Sequence, residues 1–167
     1  MPGVIYRNLY PNLKYLFNSN FNLIVMIYWF TGQPCAGKTV LANMLKQTLP
    51  NAFRIDGDEM RALFANQDYS IKGRVENVST AQKIAHYLHN QGHDVIVSLV
   101  SPYIDQREDF KTTLGDNVRE IYVHTSDFRE RDQFKAQGYV APLKNFIDID
   151  TTEDSPEESF RKLIGQL

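Results

Sequence analysis

Gly32-Gln33-Pro34-Cys35-Ala36-Gly37-Lys38-Thr39 has the spacing Gly-x-x-x-x-Gly-Lys-Thr of a phosphate-binding loop, or P-loop. In such a loop, consecutive backbone N–H groups surround phosphate oxygens. The lysine reaches the outer phosphates, and the threonine hydroxyl can ligate Mg²⁺. All eight residues are therefore candidates for binding a nucleoside triphosphate, with Lys38 also catalytic. A second chemical element is Asp56-Gly57-Asp58-Glu59-Met60-Arg61. Asp56 or Asp58 can hold Mg²⁺ through water or take a proton from an attacking hydroxyl, and Arg61 can receive an anion. Arg74 and Asn77 stand three apart, so on a helix they share a face that offers a guanidinium fork and an amide to phosphate or sulfate oxygens. In Ser101-Pro102-Tyr103 the Ser101 hydroxyl can hydrogen-bond a phosphate or the catalytic carboxylate. Cys35 sits where a helix N-terminus could lower its pKa, although a small tolerated residue explains it as well.

These residues depend on the elements that carry them. Ile27 to Thr31 is apolar and runs straight into the P-loop as a first strand, and Val40 to Lys46 continues it as a helix. Ala52 to Ile55 predicts a short second strand ending at Asp56. Helical patterns follow at Glu59 to Ala65 and at Val75 to Asn90, where Val78, Ala81, Ile84, Ala85 and Leu88 recur at three- and four-residue steps before Gly92. Val95 to Val100 is almost wholly apolar and β-branched, as a strand covered on both faces requires. Val118 to Val123 and Phe146 to Ile149 are further strands. Ser155-Pro156-Glu157-Glu158 opens a C-terminal helix with an N-cap, a proline and an acidic first turn. This alternation predicts an α/β fold of three layers, a P-loop NTPase with a mostly parallel sheet of about five strands flanked by helices. Its sites should lie at the carboxyl ends of the strands. Without that topology, Asp-Gly-Asp is an ordinary turn or cap. With it, the two aspartates stand at the same edge as the P-loop.

A chain of 167 residues accommodates one domain. We place it at 26–167, with residues 1–25 a weakly structured extension or the product of an early start codon. The apolar stretch from Phe21 to Phe30 is too short to span a bilayer. Lys plus Arg number 18 and Asp plus Glu 20, a formal net charge of -2, which leaves no electrostatic footprint for a nucleic acid or a membrane surface. The single cysteine excludes an internal disulfide framework and fits a reducing, cytoplasmic compartment. The sequence fixes no oligomeric state; a homodimer is compatible with it.

The P-loop, Ile55-Asp56-Gly57-Asp58 with Arg61, Arg74-Val75-Glu76-Asn77, and Ile96-Val97-Ser98-Leu99-Val100-Ser101-Pro102-Tyr103 together resemble the adenylylsulfate kinases. Order and spacing agree from about Tyr28 to Arg107. The resemblance implies phosphorylation of the 3′-hydroxyl of adenosine 5′-phosphosulfate by MgATP, in sulfate activation. It further implies that Asp56 and Asp58 serve Mg²⁺ and the acceptor hydroxyl, with Thr39 and Asp56 on the metal. By the same resemblance Arg61, Arg74 and Asn77 hold the phosphosulfate substrate, and Tyr69 packs on its adenine. Family members often carry an acid where this chain has Gly73.

The C-terminal third departs further. Arg129-Glu130-Arg131-Asp132 resembles the start of the family lid, where Arg131 is the candidate nucleotide-binding residue, but the basic run and the segment that normally follow are reduced. A phosphoryl transferase needs its nucleotide shielded from water. The short lid therefore leaves two other readings: a P-loop kinase for another small molecule or a polynucleotide 5′ end, and a non-catalytic nucleotide-binding domain.

Overall fold

The computed structural model describes residues 25–127 and 135–167. Five strands, β1 (Ile27–Thr31), β2 (Phe53–Asp56), β3 (Val95–Ser98), β4 (Val118–His124) and β5 (Phe146–Asp150), form one sheet in the order β2-β3-β1-β4-β5. Every neighbouring pair is parallel, so the sheet is parallel throughout rather than mostly so. Parallel strands need crossovers: α1 (Lys38–Thr48) lies between β1 and β2, α2 (Gly57–Leu63) and α3 (Ile71–Asn90) between β2 and β3, and α4 (Ile104–Leu114) between β3 and β4, while α5 (Pro156–Ile164) follows β5 and packs back on the sheet.

Side chains alternate across β1 and divide the core in two. Tyr28 and Phe30 join Ile121, Val123, Ile147 and Ile149 under Leu41 and Leu45 of α1 and Phe160 and Leu163 of α5. Ile27 and Trp29 point the other way, with Ile55, Val95 and Val97, under Met60 of α2 and Val78, Ala81 and Ala85 of α3. Covered on both faces, β1 is buried along its whole length. The P-loop hangs from the end of this buried central strand.

Differences from the sequence expectation lie at element ends and in one helix, α4. β3 stops at Ser98 instead of Val100 because the chain leaves the ladder there: Leu99 N still bonds Phe30 O at 3.1 Å, and Val100 O receives Gly32 N at 3.4 Å. α3 begins at Ile71, a turn before Val75, because Ser70 accepts the Gly73 amide as its N-cap. α4 gave no usable signal: its charged sequence IDQREDFKTTL buries Arg107, with Phe110 and Leu114 only partly buried. At the C-terminus Ser155 and Glu158 form the reciprocal capping box with Pro156 at the helix start. None of the described helices is long and apolar enough to cross a membrane.

Candidate active site

The P-loop owes its shape to backbone that only particular residues tolerate. Gly32 has φ +148, and a Cβ there would lie 2.0 Å from the Val123 carbonyl oxygen of β4. No side chain fits that approach. Cys35 (φ 61) and Gly37 (φ 100) are left-handed and turn the chain into α1, whose first residue is Lys38. No side-chain hydrogen bond caps this helix, and a helix N-terminus of this kind suits an anion. Lys38 is buried and its Nζ donates to the Gln33 carbonyl at 2.7 Å, folding back across the loop it serves. Thr151, just past β5, braces the loop from behind by donating to Ala36 O at 3.0 Å.

Asp56 ends β2 at the same edge. Its Oδ2 accepts from Thr39 Oγ1 at 2.9 Å and from Ser98 Oγ at 2.8 Å, and its Oδ1 accepts the Asp58 amide at 3.0 Å. Arg54 Nη1 adds an ion pair at 3.4 Å. Burial pushes this carboxyl up, but the Ser98 and Thr39 hydroxyls, the Asp58 amide and Arg54 together outweigh it and hold the group below the ordinary carboxylate range. A carboxylate held in its ionised form beside the Thr39 hydroxyl makes a pair of hard oxygen donors. That set fits Mg²⁺, which prefers few protein oxygens completed by water and phosphate. Asp58, two residues on, is exposed and stands on the first turn of α2, where its charge acts on Arg61. The two aspartates therefore divide: Asp56 faces the P-loop and Asp58 faces outward.

Beyond Asp58 the basic groups converge. Arg61 Nη1 donates to Asp68 O at 2.8 Å and to Asn66 O at 3.2 Å, and its guanidinium lies 4.2 Å from the centre of the Tyr69 ring. Arg74 donates to Tyr69 O at 3.0 Å and its guanidinium stands 5.6 Å from the same ring. Burial and the neighbouring Arg74 lower the Arg61 pKa against the pull of Tyr69. Two like charges held close together are relieved by an anion between them, so this arrangement favours an anionic ligand. Asn77 is buried and donates to Gly57 O at 3.4 Å, which ties α3 to the Asp-Gly-Asp turn. Gly73 also has a local reason: a Cβ there would lie 2.2 Å from Asp68 O and 2.5 Å from the Asp68 carboxyl carbon. In this chain Asp68 fills the space that a larger residue would need.

The hydroxyl of Ser101 does not bond Asp56. Ser98 does so, because Asp56 and Ser98 are register partners on adjacent strands. Ser101 lies three residues further on, at φ 43, with its Oγ accepting from Trp29 Nε1 at 3.1 Å. The lone hydroxyl inside the apolar run Val95 to Val100 was the signal for Ser98. Thr151, Arg54 and the side chain of Gln33 carried no comparable signal. Arg131 lies outside the described residues.

Residues 24–160 match the family described as adenylylsulphate kinase. This chain belongs to the adenylylsulfate kinase family. An adenylyl-sulfate kinase of Staphylococcus epidermidis is 30% identical over 165 residues, covering 84% of this chain and 83% of that protein. One from Buchnera aphidicola (Acyrthosiphon pisum) is 28% identical over 141 residues, 78% of this chain and 68% of the relative. The Mycobacterium tuberculosis APS kinase in complex with AMPPNP and APS superposes with a TM-score of 0.72 at 21% identity, covering 84% of this chain and 96% of that one. At that identity the superposition speaks for the fold. Family membership makes the chain an ATP-dependent phosphotransferase with an alcohol group as acceptor, and neither alternative reading is favoured.

Proposed function

We propose that this adenylylsulfate kinase transfers the γ-phosphoryl group of ATP to the 3′-hydroxyl of adenosine 5′-phosphosulfate (APS), with Mg²⁺ held by Thr39 and Asp56. The observation that carries the acceptor assignment is the Arg61–Tyr69–Arg74 set, which offers two guanidinium groups and one aromatic face beside the Asp-Gly-Asp turn. A nucleotide acceptor with an anionic 5′ group needs both: the ring stacks on the base, and the arginines hold phosphosulfate oxygens.

In this reading Lys38 leaves the Gln33 carbonyl for the outer phosphates while the loop amides hold the remaining oxygens. When bound, Mg²⁺ neutralises charge on the β- and γ-phosphates. Asp58, on the acceptor side, accepts the proton of the attacking 3′-hydroxyl, and Asn77 keeps the turn that carries both aspartates in place. Positioning and charge neutralisation supply most of the rate, since phosphoryl transfer asks little covalent chemistry of the protein. Arg131 contributes to nucleotide binding, and the cytoplasm is the compartment. Incubation with MgATP and a panel of acceptors that includes APS, other nucleotides, a sugar acid and an oligonucleotide 5′ end tests the assignment. We expect phosphorylated APS as the main product; preferential phosphorylation of another acceptor, or phosphate release alone, would refute it.

A further inference from the structure

Arg107 of α4 is a buried charge that phosphate and acceptor binding leave unexplained. It is 2% exposed, and its Nε donates to Glu120 Oε1 of β4 at 2.7 Å. Neutralising Glu120 does not require it, because Lys111 Nζ already lies 2.5 Å from the other oxygen of the same carboxylate. A buried ion pair is also a weak source of net stability. What Arg107 alone supplies is geometry. Its Nη1 donates to the Ser101 carbonyl and its Nη2 to the Val140 carbonyl, each at 2.6 Å. One planar fork therefore joins the turn after β3 to the segment Ala136–Val140, and Val140 N closes the link by donating to Pro102 O at 3.0 Å. That segment is fastened at two further points, one to the P-loop and one to the end of β1. Gln33 exchanges hydrogen bonds with the Ala136 backbone at 2.8 and 3.2 Å, and the Tyr139 hydroxyl meets Thr31 Oγ1 at 3.1 Å. The Arg107 guanidinium stands over the Tyr139 ring at 5.5 Å from its centre.

We propose that Arg107 is a positioning residue for phosphoryl transfer: its fork fixes the Ser101 turn and the Ala136–Val140 segment in one register around the Gln33 end of the P-loop. That is the end on which Lys38 rests, so a loosened segment both misplaces the loop and admits water to the transferring group. Lysine cannot replace the fork, because a single ammonium cannot hold a carboxylate and two divergent carbonyls in one plane.

The proposal rests on the kinase reading above, and the test separates the two. Arg107→Lys is compared with Lys111→Met, which disturbs the same carboxylate but contacts neither Ser101 nor Val140, and with Tyr139→Phe, which removes only the hydroxyl. The readouts are kcat, KM for each substrate, phosphate released per acceptor phosphorylated, and amide hydrogen exchange over Ser101–Tyr103 and Ala136–Val140. For Arg107→Lys we expect a fall in kcat of about 10–100-fold, more hydrolysis per transfer, little change in KM for ATP, and faster exchange in both peptides together. Lys111→Met is expected to keep the ratio and the exchange pattern of the wild type, and Tyr139→Phe to raise the ratio with almost unchanged thermal stability. An Arg107→Lys enzyme with wild-type kcat and ratio, or a Lys111→Met enzyme as uncoupled as Arg107→Lys, overturns the proposal. Should Arg107→Lys fail to fold, an unchanged ratio in Tyr139→Phe overturns it instead. If the wild type transfers nothing to APS, the kinase reading falls separately, and the exchange data with the acceptor-independent ATP hydrolysis rates still decide the role of Arg107.

Discussion

Asn in place of Asp56 tests the division of labour between the two aspartates. The amide keeps an oxygen for the Asp58 N–H, but it presents an NH₂ where Thr39, Ser98 and Arg54 now donate. The two hydroxyls can rotate to accept from it, so the fold loses mainly the charge assistance of these bonds, about 1.5–3 kcal/mol. A domain of ordinary stability, roughly 5–15 kcal/mol, stays folded through that loss at 25 °C. The chemistry suffers more. Removing a metal ligand or proton acceptor is expected to lower kcat/KM by about 10²–10⁴, which is about 2.7–5.4 kcal/mol of transition-state stabilisation. The two aspartates should also fail differently. Asp56→Asn should need far more Mg²⁺ for half-maximal rate, whereas Asp58→Asn should keep the wild-type Mg²⁺ requirement and lose kcat. Initial rates of ADP release over a Mg²⁺ titration at saturating ATP and APS measure both. An Asp56→Asn enzyme within a few-fold of wild type at ordinary Mg²⁺, or identical Mg²⁺ curves for the two variants, would refute the reasoning.

Lys38→Ala should abolish ATP-dependent transfer while leaving the circular dichroism spectrum intact; turnover at the wild-type rate in a coupled ADP assay contradicts the site. Arg74→Ala removes a half-exposed fork, so it should raise KM for APS by about 10–150-fold, the equivalent of 1.5–3 kcal/mol for a charge-assisted hydrogen bond, with KM for ATP unchanged. The lowered pKa of Asp56 has a definite sign: its stabilising charge is fully present above the unfolded carboxylate value near 3.9, and is lost as pH falls through the lower folded value. Thermal melts of wild type and Asp56→Asn should therefore converge in strong acid and stay apart at neutral pH. Gly32→Ala drives a Cβ into the Val123 carbonyl and should lose at least about 3 kcal/mol, roughly 6–12 °C in melting temperature, whereas Gly37→Ala meets nothing nearer than 3.6 Å and should lose only the backbone strain of its left-handed φ of 100, about 1–3 kcal/mol.

Reading order along the chain explains which parts of the site were legible beforehand. The P-loop and Asp56 stand at strand ends, and strands buried on both faces announce themselves as apolar runs, so Ile27 to Thr31 and Val95 to Val100 located the active edge directly. Ser98 stands out as a hydroxyl in an apolar run, but its partner is not local: only strand register puts it beside Asp56, and register follows from packing. That the Ser101 hydroxyl meets Trp29 and not Asp56 was hidden for the same reason, since counting residues past a strand cannot foresee a left-handed turn at φ 43. α4 was illegible because it buries a charged residue in place of a broad apolar stripe. The Arg107 fork satisfied by Glu120, Ser101 and Val140 replaces the periodic pattern by which a helix is normally read.

Each ligand-binding group in this site already has an internal partner. Lys38 rests on the Gln33 carbonyl, Thr39 on Asp56, Arg61 on the Asp68 and Asn66 carbonyls, and Arg74 on the Tyr69 carbonyl. Binding therefore exchanges hydrogen bonds instead of creating them, and an exchanged bond contributes far less than its strength in isolation. Only a ligand that offers more charge than a main-chain carbonyl gains by the exchange. Phosphate and phosphosulfate oxygens do so at Lys38, Arg61 and Arg74, whereas a neutral hydroxylated molecule does not. The selectivity of the site for anionic substrates thus comes from its pre-paired state as much as from its positive charge. A variant that removes an internal partner without touching the binding group, such as Asn66→Ala, which deletes the side-chain Oδ1 that accepts from Arg61 Nη1 at 3.1 Å, should bind anions less selectively even if it binds them no more weakly. Competition between APS and neutral adenosine for the acceptor site measures that selectivity, and an unchanged ratio of their affinities would count against the exchange argument.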